Sequence, residues 1–261
     1  MTILFHELKQ NRISFAVWTA AIGFLLAICV FMYPEMKGEM NSVTDMFSSM
    51  GSFTAAFGMD RLDFGSFIGF YAVECGNILG LGGAFFAALI GISSLAKEEK
   101  ERTAEFLLAH PLSRAKIITG KISAVLVQIL LMNLLIFAVA VLSAVIIGEE
   151  IPWKELGLIH LANLLLQAEL ACVCFGISAF LRRGGLGIGL GLAAVLYFLN
   201  IIANISEKAE FLKYITPFGY TEGADILTEG ALDGTLISVG IVLSVLSLVI
   251  AYVKYCKKDI V

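Results

Sequence analysis

ISAVLVQILLMNLLIFAVAVLSAVII, residues Ile122–Ile147, outruns the roughly 18–20 residues that carry a helix across a hydrocarbon core about 30 Å thick, and it holds no charged side chain. Five further runs of this kind stand at Ile13–Tyr33, Phe67–Ala96, Leu156–Leu181, Leu186–Ile205 and Thr235–Val253. None alternates polar and apolar residues as a membrane β-strand does, so helices are the spanning solution left. The expected fold is all-α: a polytopic membrane protein of six transmembrane helices, read as a single transmembrane domain over residues 1–261. Composition agrees. Of the 261 residues 59% are hydrophobic and 15% charged, against about 45–50% and roughly 25% in an ordinary soluble domain. The first run follows Lys9 and Arg12 like a signal peptide, but it is long for one and leads into FMYPEMK without a small-x-small cleavage site, so it is read as a retained span.

Six spans put both termini on one side, and the loops are short enough for their basic residues to report orientation. Thirteen of the 18 Lys and Arg residues fall on the side of the termini, among them Lys9, Arg12, Lys97, Lys100, Arg114, Lys121 and Lys258. The opposite side keeps Lys37, Arg61, Lys154, Lys208 and Lys213 against fourteen acids. The termini are therefore expected in the cytoplasm. The net charge of −4 hides this asymmetry and points to no nucleic-acid partner; the lipid bilayer is the partner the composition demands.

Residues 1–12 place Leu4, Phe5 and Leu8 on one side of a helix and Glu7, Lys9 and Gln10 on the other, which fits an amphipathic helix lying in the interface or, failing that, a frayed terminus. Between the second and third runs lies the most charged stretch, KEEKERTAEFLLAHPLSRAKIITGK, from Lys97 to Lys121. Glu98 and Arg102 are spaced to pair one turn apart, and Ala104, Leu107 and Leu108 gather an apolar patch. Pro111 stops the helix near Ala109 or His110, and Ser113 can cap the next one. This is either a docking element or a solvated turn. The opposite loops are longer; residues 34–66 are methionine-rich and residues 206–234 are broken at Thr216-Pro217, and both could fold back toward the bilayer.

Little else carries chemistry. No G-x-x-x-x-G-K-[ST] phosphate cradle occurs, so the chain is not expected to be an enzyme that hydrolyses ATP. His6-Glu7-Leu8-Lys9-Gln10 begins like a zinc-protease helix but has Gln10 where the second ligand belongs. The five cysteines, Cys29, Cys75, Cys172, Cys174 and Cys256, imply no disulfide framework, and Cys172 and Cys174 lie about 200° apart on a helix, too far to share a metal. Met32, Met36 and Met40 line one helical face, as a copper path or as a soft apolar surface. Within the spans Glu169 stands out, since an ionised carboxylate there costs at least about 2.5 kcal/mol and must face protein or a wet cavity, or take up a proton. Asn163, Gln167, Asn200 and Asn204 are either members of a polar pathway or interhelical glue. Gly76/Gly80 and Gly187/Gly191 have the spacing that lets helices approach closely, and the second pair could form a dimer seam.

The stretch Glu101-Arg102-Thr103-Ala104-Glu105-Phe106-Leu107-Leu108-Ala109-His110-Pro111-Leu112-Ser113-Arg114 resembles the signature region of type-2 ABC transporter permeases: a charged run, a Thr or Gly, Glu-x-Leu-Leu, two residues, then Pro-x-Ser-Arg. Arg102 stands where such permeases usually have glycine. ITPFGYTEGADIL is similar to the Pro-Phe-x-Tyr segment that often precedes their last span. The resemblance implies that Lys97–Ala109 is a coupling helix docking into a cytoplasmic ATP-binding subunit, with Glu98, Glu101, Arg102, Thr103, Glu105, Leu107, Leu108, Pro111 and Arg114 as the coupling residues. It also implies two permease halves (homo- or heterodimer), two ATPase copies, ATP and Mg2+ held by those subunits rather than by this chain, and a place in the inner membrane of a prokaryote. The function to expect is ATP-driven export by alternating access, with Glu169, Asn163, Gln167 and Asn200 on the substrate path. The alternative is a secondary transporter in which Glu169 carries a coupling proton.

Overall fold

The computed structural model describes residues 2–38, 51–101, 113–182 and 185–258. Among them six helices are long and apolar enough to cross a membrane: Arg12–Gly38, Phe67–Ser93, Arg114–Ile147, Trp153–Ser178, Leu186–Ile205 and Gly234–Lys257, the first to sixth spans. No strand occurs among the described residues. The chain is an all-α, multi-pass membrane protein.

Capping residues set where the helices begin. Ser113 Oγ accepts the Lys116 amide at 3.3 Å, so the third span starts at Arg114, well ahead of its apolar run. Asp233 accepts the amides of Thr235 and Leu236 at 2.7 and 3.3 Å and opens the sixth span. The first span runs through Pro34 to Gly38, past the expected stop at Tyr33. The second carries a π-turn at Tyr71–Cys75, where one extra residue is fitted into the ladder.

The second and fourth spans form the inner pair: 61% and 67% of their most apolar windows are buried, against 22% for the first and fifth spans and 17% for the sixth. The fourth packs on the second and sixth, the first on the third, and the fifth on the second. Glycine permits the closest approach. A Cβ at Gly83 would stand 2.0 Å from Gln167 Nε2, too close for any side chain. Gly187 and Gly191 of the fifth span, by contrast, have nothing within 4 Å and face away from the bundle.

Both ends of the chain lie at one side of the bundle, the near side. Here the helix Thr2–Gln10 packs along the third span. The expected water-facing Glu7 is instead buried, turned onto Lys121 of that span, because the helix packs against protein. At the far side the segment after the fifth span folds back: Glu207–Tyr214 and Pro217–Tyr220 form 3-10 turns, Gly223–Glu229 a short helix, and Pro217–Tyr220 is buried in the bundle.

Candidate functional site

Two clusters of buried polar groups lie at opposite ends of the bundle. At the near side the short helix Lys97–Glu101 follows the second span after a bend at residues 94–96. Lys121 is 1% exposed. Its ammonium donates to Glu7 Oε1 at 2.7 Å, to the Ser94 carbonyl at 2.9 Å, and to the Glu98 carboxylate. Glu99 pairs with Lys258 Nζ at 2.5 Å, and that ammonium also donates to the Leu181 carbonyl at 2.7 Å. Arg114 gathers the Tyr255 and Lys258 carbonyls at 3.1 and 2.5 Å. Lys97 reaches Asn11 at 3.4 Å. The first turn of the expected coupling helix is thus bolted to the amino-terminal helix, the third span and the carboxy-terminal end.

Glu98 meets Lys121; its expected partner one turn along, Arg102, lies outside the described residues. The backbone of Glu101 ends the described helix, whereas Arg102, Thr103, Glu105, Leu107, Leu108 and Pro111 lie outside the described residues. Sequence reading missed Lys121, Glu7, Glu99 and Lys258 as one cluster. A signal did exist: a helix capped at Ser113 puts Lys121 two turns inside it, where a lone lysine needs counter-charges.

The second cluster centres on Glu169. Its carboxylate is buried, and Oε2 accepts the Tyr220 hydroxyl at 2.8 Å. A Cβ on Gly240 would lie 2.1 Å from that same oxygen, so the carboxylate rests directly on the backbone of the sixth span. Gly240 is six residues past the start of that helix, which sets Glu169 about 9 Å below its far-side end at 1.5 Å per residue. Tyr220 comes from the folded-back Pro217–Tyr220 turn; burial, reinforced by the Glu169 charge, pushes its hydroxyl pKa well up, so it stays a neutral donor. Tyr220 also lines an open far-side cleft of about 640 Å³ shared by Phe211, Tyr214, Glu210 and Glu229. Arg61 and Lys213 on the same wall both pair with Asp225, at 2.5 and 3.4 Å.

The other three expected pathway residues do not join Glu169. Gln167 is locked between Asn133 at 2.6 Å and the Leu79 carbonyl at 3.3 Å. Asn163 donates to its own helix at Ile159, 2.9 Å away, and lies beside Gly80 of the second span. Of the two amides, Gln167 ties the inner helix pair together through the Leu79 carbonyl. Asn200 lines a separate cavity of about 30 Å³ with Asn77, Tyr197 and Glu222, room for about two waters. Glu222 there accepts the Asn204 amide at 2.7 Å, and burial raises its carboxyl pKa.

A third buried contact, Tyr71 hydroxyl to His160 Nε2 at 2.7 Å, braces the π-turn against the fourth span. Among the described residues no three His, Cys, Asp or Glu side chains gather as a metal site.

No curated protein matches the chain. Its residues 1–260 match the family described as ABC-2 family transporter protein. That family consists of membrane transport subunits, not enzymes themselves, and implies an ATP-binding partner. The secondary-transporter alternative belongs to another class. With six apolar helices and a match over nearly its whole length, this chain belongs to the ABC-2 transporter family and is an ABC transporter permease.

Proposed function

We propose that the chain is the permease half of an ATP-driven exporter, working as a dimer with two cytoplasmic ATPase subunits that hold ATP and Mg2+. The near side is then cytoplasmic, in keeping with its thirteen Lys and Arg residues. The observation that carries the reading is the anchoring of Lys97–Glu101. A loop that merely reverses direction needs no such fastening; a helix that must pass a push from an ATPase to the spans does. Glu98 and Glu99 are the bolts, and docking falls to the residues that follow, through the apolar patch at Leu107 and Leu108 with Glu105 beside it. The outward-facing Gly187/Gly191 stripe suits the seam between two permease halves. Glu169, joined through Tyr220 to the far-side cleft, is the substrate contact in the bundle.

The test is docking. Burying a leucine is worth about 1.5–3 kcal/mol, and an added aspartate must be desolvated as well. Leu107→Asp is expected to weaken binding of the ATPase subunit at least about tenfold in a detergent pull-down and to abolish transport. Membrane insertion should be unchanged. A Leu107→Asp chain that keeps its ATPase and full transport refutes the coupling role.

A further inference from the structure

Glu7 is buried and Glu98 and Glu99 are half-buried, and each meets a lysine, while the buried Glu222 outside the spans meets the Asn204 amide. Glu169 is in none of the ion pairs formed among the described residues, and its hydrogen-bond partner is a phenol. A carboxylate in an apolar bundle that meets no counter-charge among the described residues is a place for a cation from outside, or for a proton. The surroundings favour a bulky cation. The cleft that Tyr220 lines, about 640 Å³, falls in the range of small-molecule sites of about 300–1,000 Å³. Its wall offers the rings of Phe211 and Tyr214, which attract cations through their faces, and the acids Glu210 and Glu229. Among its bases, Arg61 and Lys213 are both turned onto Asp225, and Lys208 stands in solvent.

We propose that Glu169 recognises a monovalent organic cation with an apolar body, which takes the place of the Tyr220 hydroxyl and lies between the carboxylate and the far-side cleft through which it would leave. Tyr220 is then the gate between cleft and carboxylate, and Gly240 the seat that holds the carboxylate level with it. The proposal deepens the transport reading above and rests on it. It predicts opposite signs for the two partners of a single hydrogen bond. Removing the carboxylate removes the attraction, whereas removing the hydroxyl removes a competitor.

The experiment measures equilibrium binding of tetraphenylphosphonium to the purified permease in detergent, without the ATPase subunit, with tetraphenylborate as the matched anion. The parent chain is expected to bind the cation and not the anion. Glu169→Gln should lose at least about tenfold in cation affinity, Tyr220→Phe should gain affinity, and the double variant should behave as Glu169→Gln. Leu107→Asp should bind as the parent does, which keeps a failure of the docking reading separate from a failure of this one. The proposal is overturned if the parent does not bind the cation, if Glu169→Gln leaves its affinity unchanged, or if Tyr220→Phe binds no tighter than the parent. A carboxyl that serves only a proton gives the second of these results.

Discussion

At the near side, Glu7, Glu98 and Glu99 are matched by the ammonium groups of Lys121 and Lys258, with the Ser94 and Leu181 carbonyls filling the remaining donors. At the far side Glu169 has a single hydroxyl and the bare backbone at Gly240. Both clusters take carboxylates out of water, yet only the first returns the charge–charge attraction that offsets the desolvation. A network of opposite charges joining three elements resists being pulled apart, and so serves as a strut. A carboxylate held by one hydrogen bond, worth about 1.5–3 kcal/mol when one partner is charged, can be released by a competing ligand.

The sharpest way to break the comparison is to remove the shared cation of the strut. Lys121→Met leaves Glu7 and Glu98 buried without it, and removing one partner from a buried ion pair costs about 3–5 kcal/mol. A markedly lower unfolding temperature in detergent is expected. Neutralising the whole triad, with Glu7→Gln and Glu98→Gln added, should recover much of that loss, because a buried charge cluster exchanged for neutral groups is often close to even in stability. Recovery of stability without recovery of transport would identify the triad as a mechanical link. If Lys121→Met unfolds at the parent temperature, the lysine is not a strut.

That cluster marks where the sequence stopped being legible. The spans were readable because bilayer thickness leaves few alternatives, and their number and order hold in the structure. Helix ends were readable only where a capping residue announced them, as at Ser113. Pairing was not readable. Glu7 and Lys121 lie 114 positions apart, and periodicity along one helix assigns a side chain to a face without saying what covers that face. Glu7 was therefore sent to water, and Lys121 was given no partner at all. Glu169 was recognisable, since an acid in an apolar run announces itself. Tyr220 and Gly240 were not: a tyrosine in a loop and a glycine in a span have many ordinary uses, and only the folded-back turn brings them to the carboxylate.

The second test turns on sign. If Glu169 has no counter-charge to lose, Glu169→Gln removes a desolvated charge and keeps an acceptor for the Tyr220 hydroxyl. Its unfolding temperature should equal or exceed that of the parent, opposite to Lys121→Met. A fall as large as that of Lys121→Met would mean that Glu169 is also a strut, and the distinction between the two clusters would collapse.

The smallest expected effect concerns Glu222, which lies between the two extremes. It is buried near the far-side cleft with a neutral amide partner, Asn204, at 2.7 Å, and with Asp225, Arg61 and Lys213 as the charged groups around it. Burial is the main cause that lifts its carboxyl pKa above the ordinary 4.5, and the Asn204 hydrogen bond opposes the rise. The folded chain therefore holds this proton to higher pH than the unfolded chain does. Such a group contributes stability that is present at low pH and is lost as pH climbs from the unfolded value through the folded one. Glu222→Gln keeps the acceptor for Asn204 and abolishes the titration, so its unfolding temperature relative to the parent should rise as the pH is raised above 4.5 and then level off. A constant difference across that range would mean that Glu222 titrates alike in both states and that the buried amide leaves it no worse off than water does.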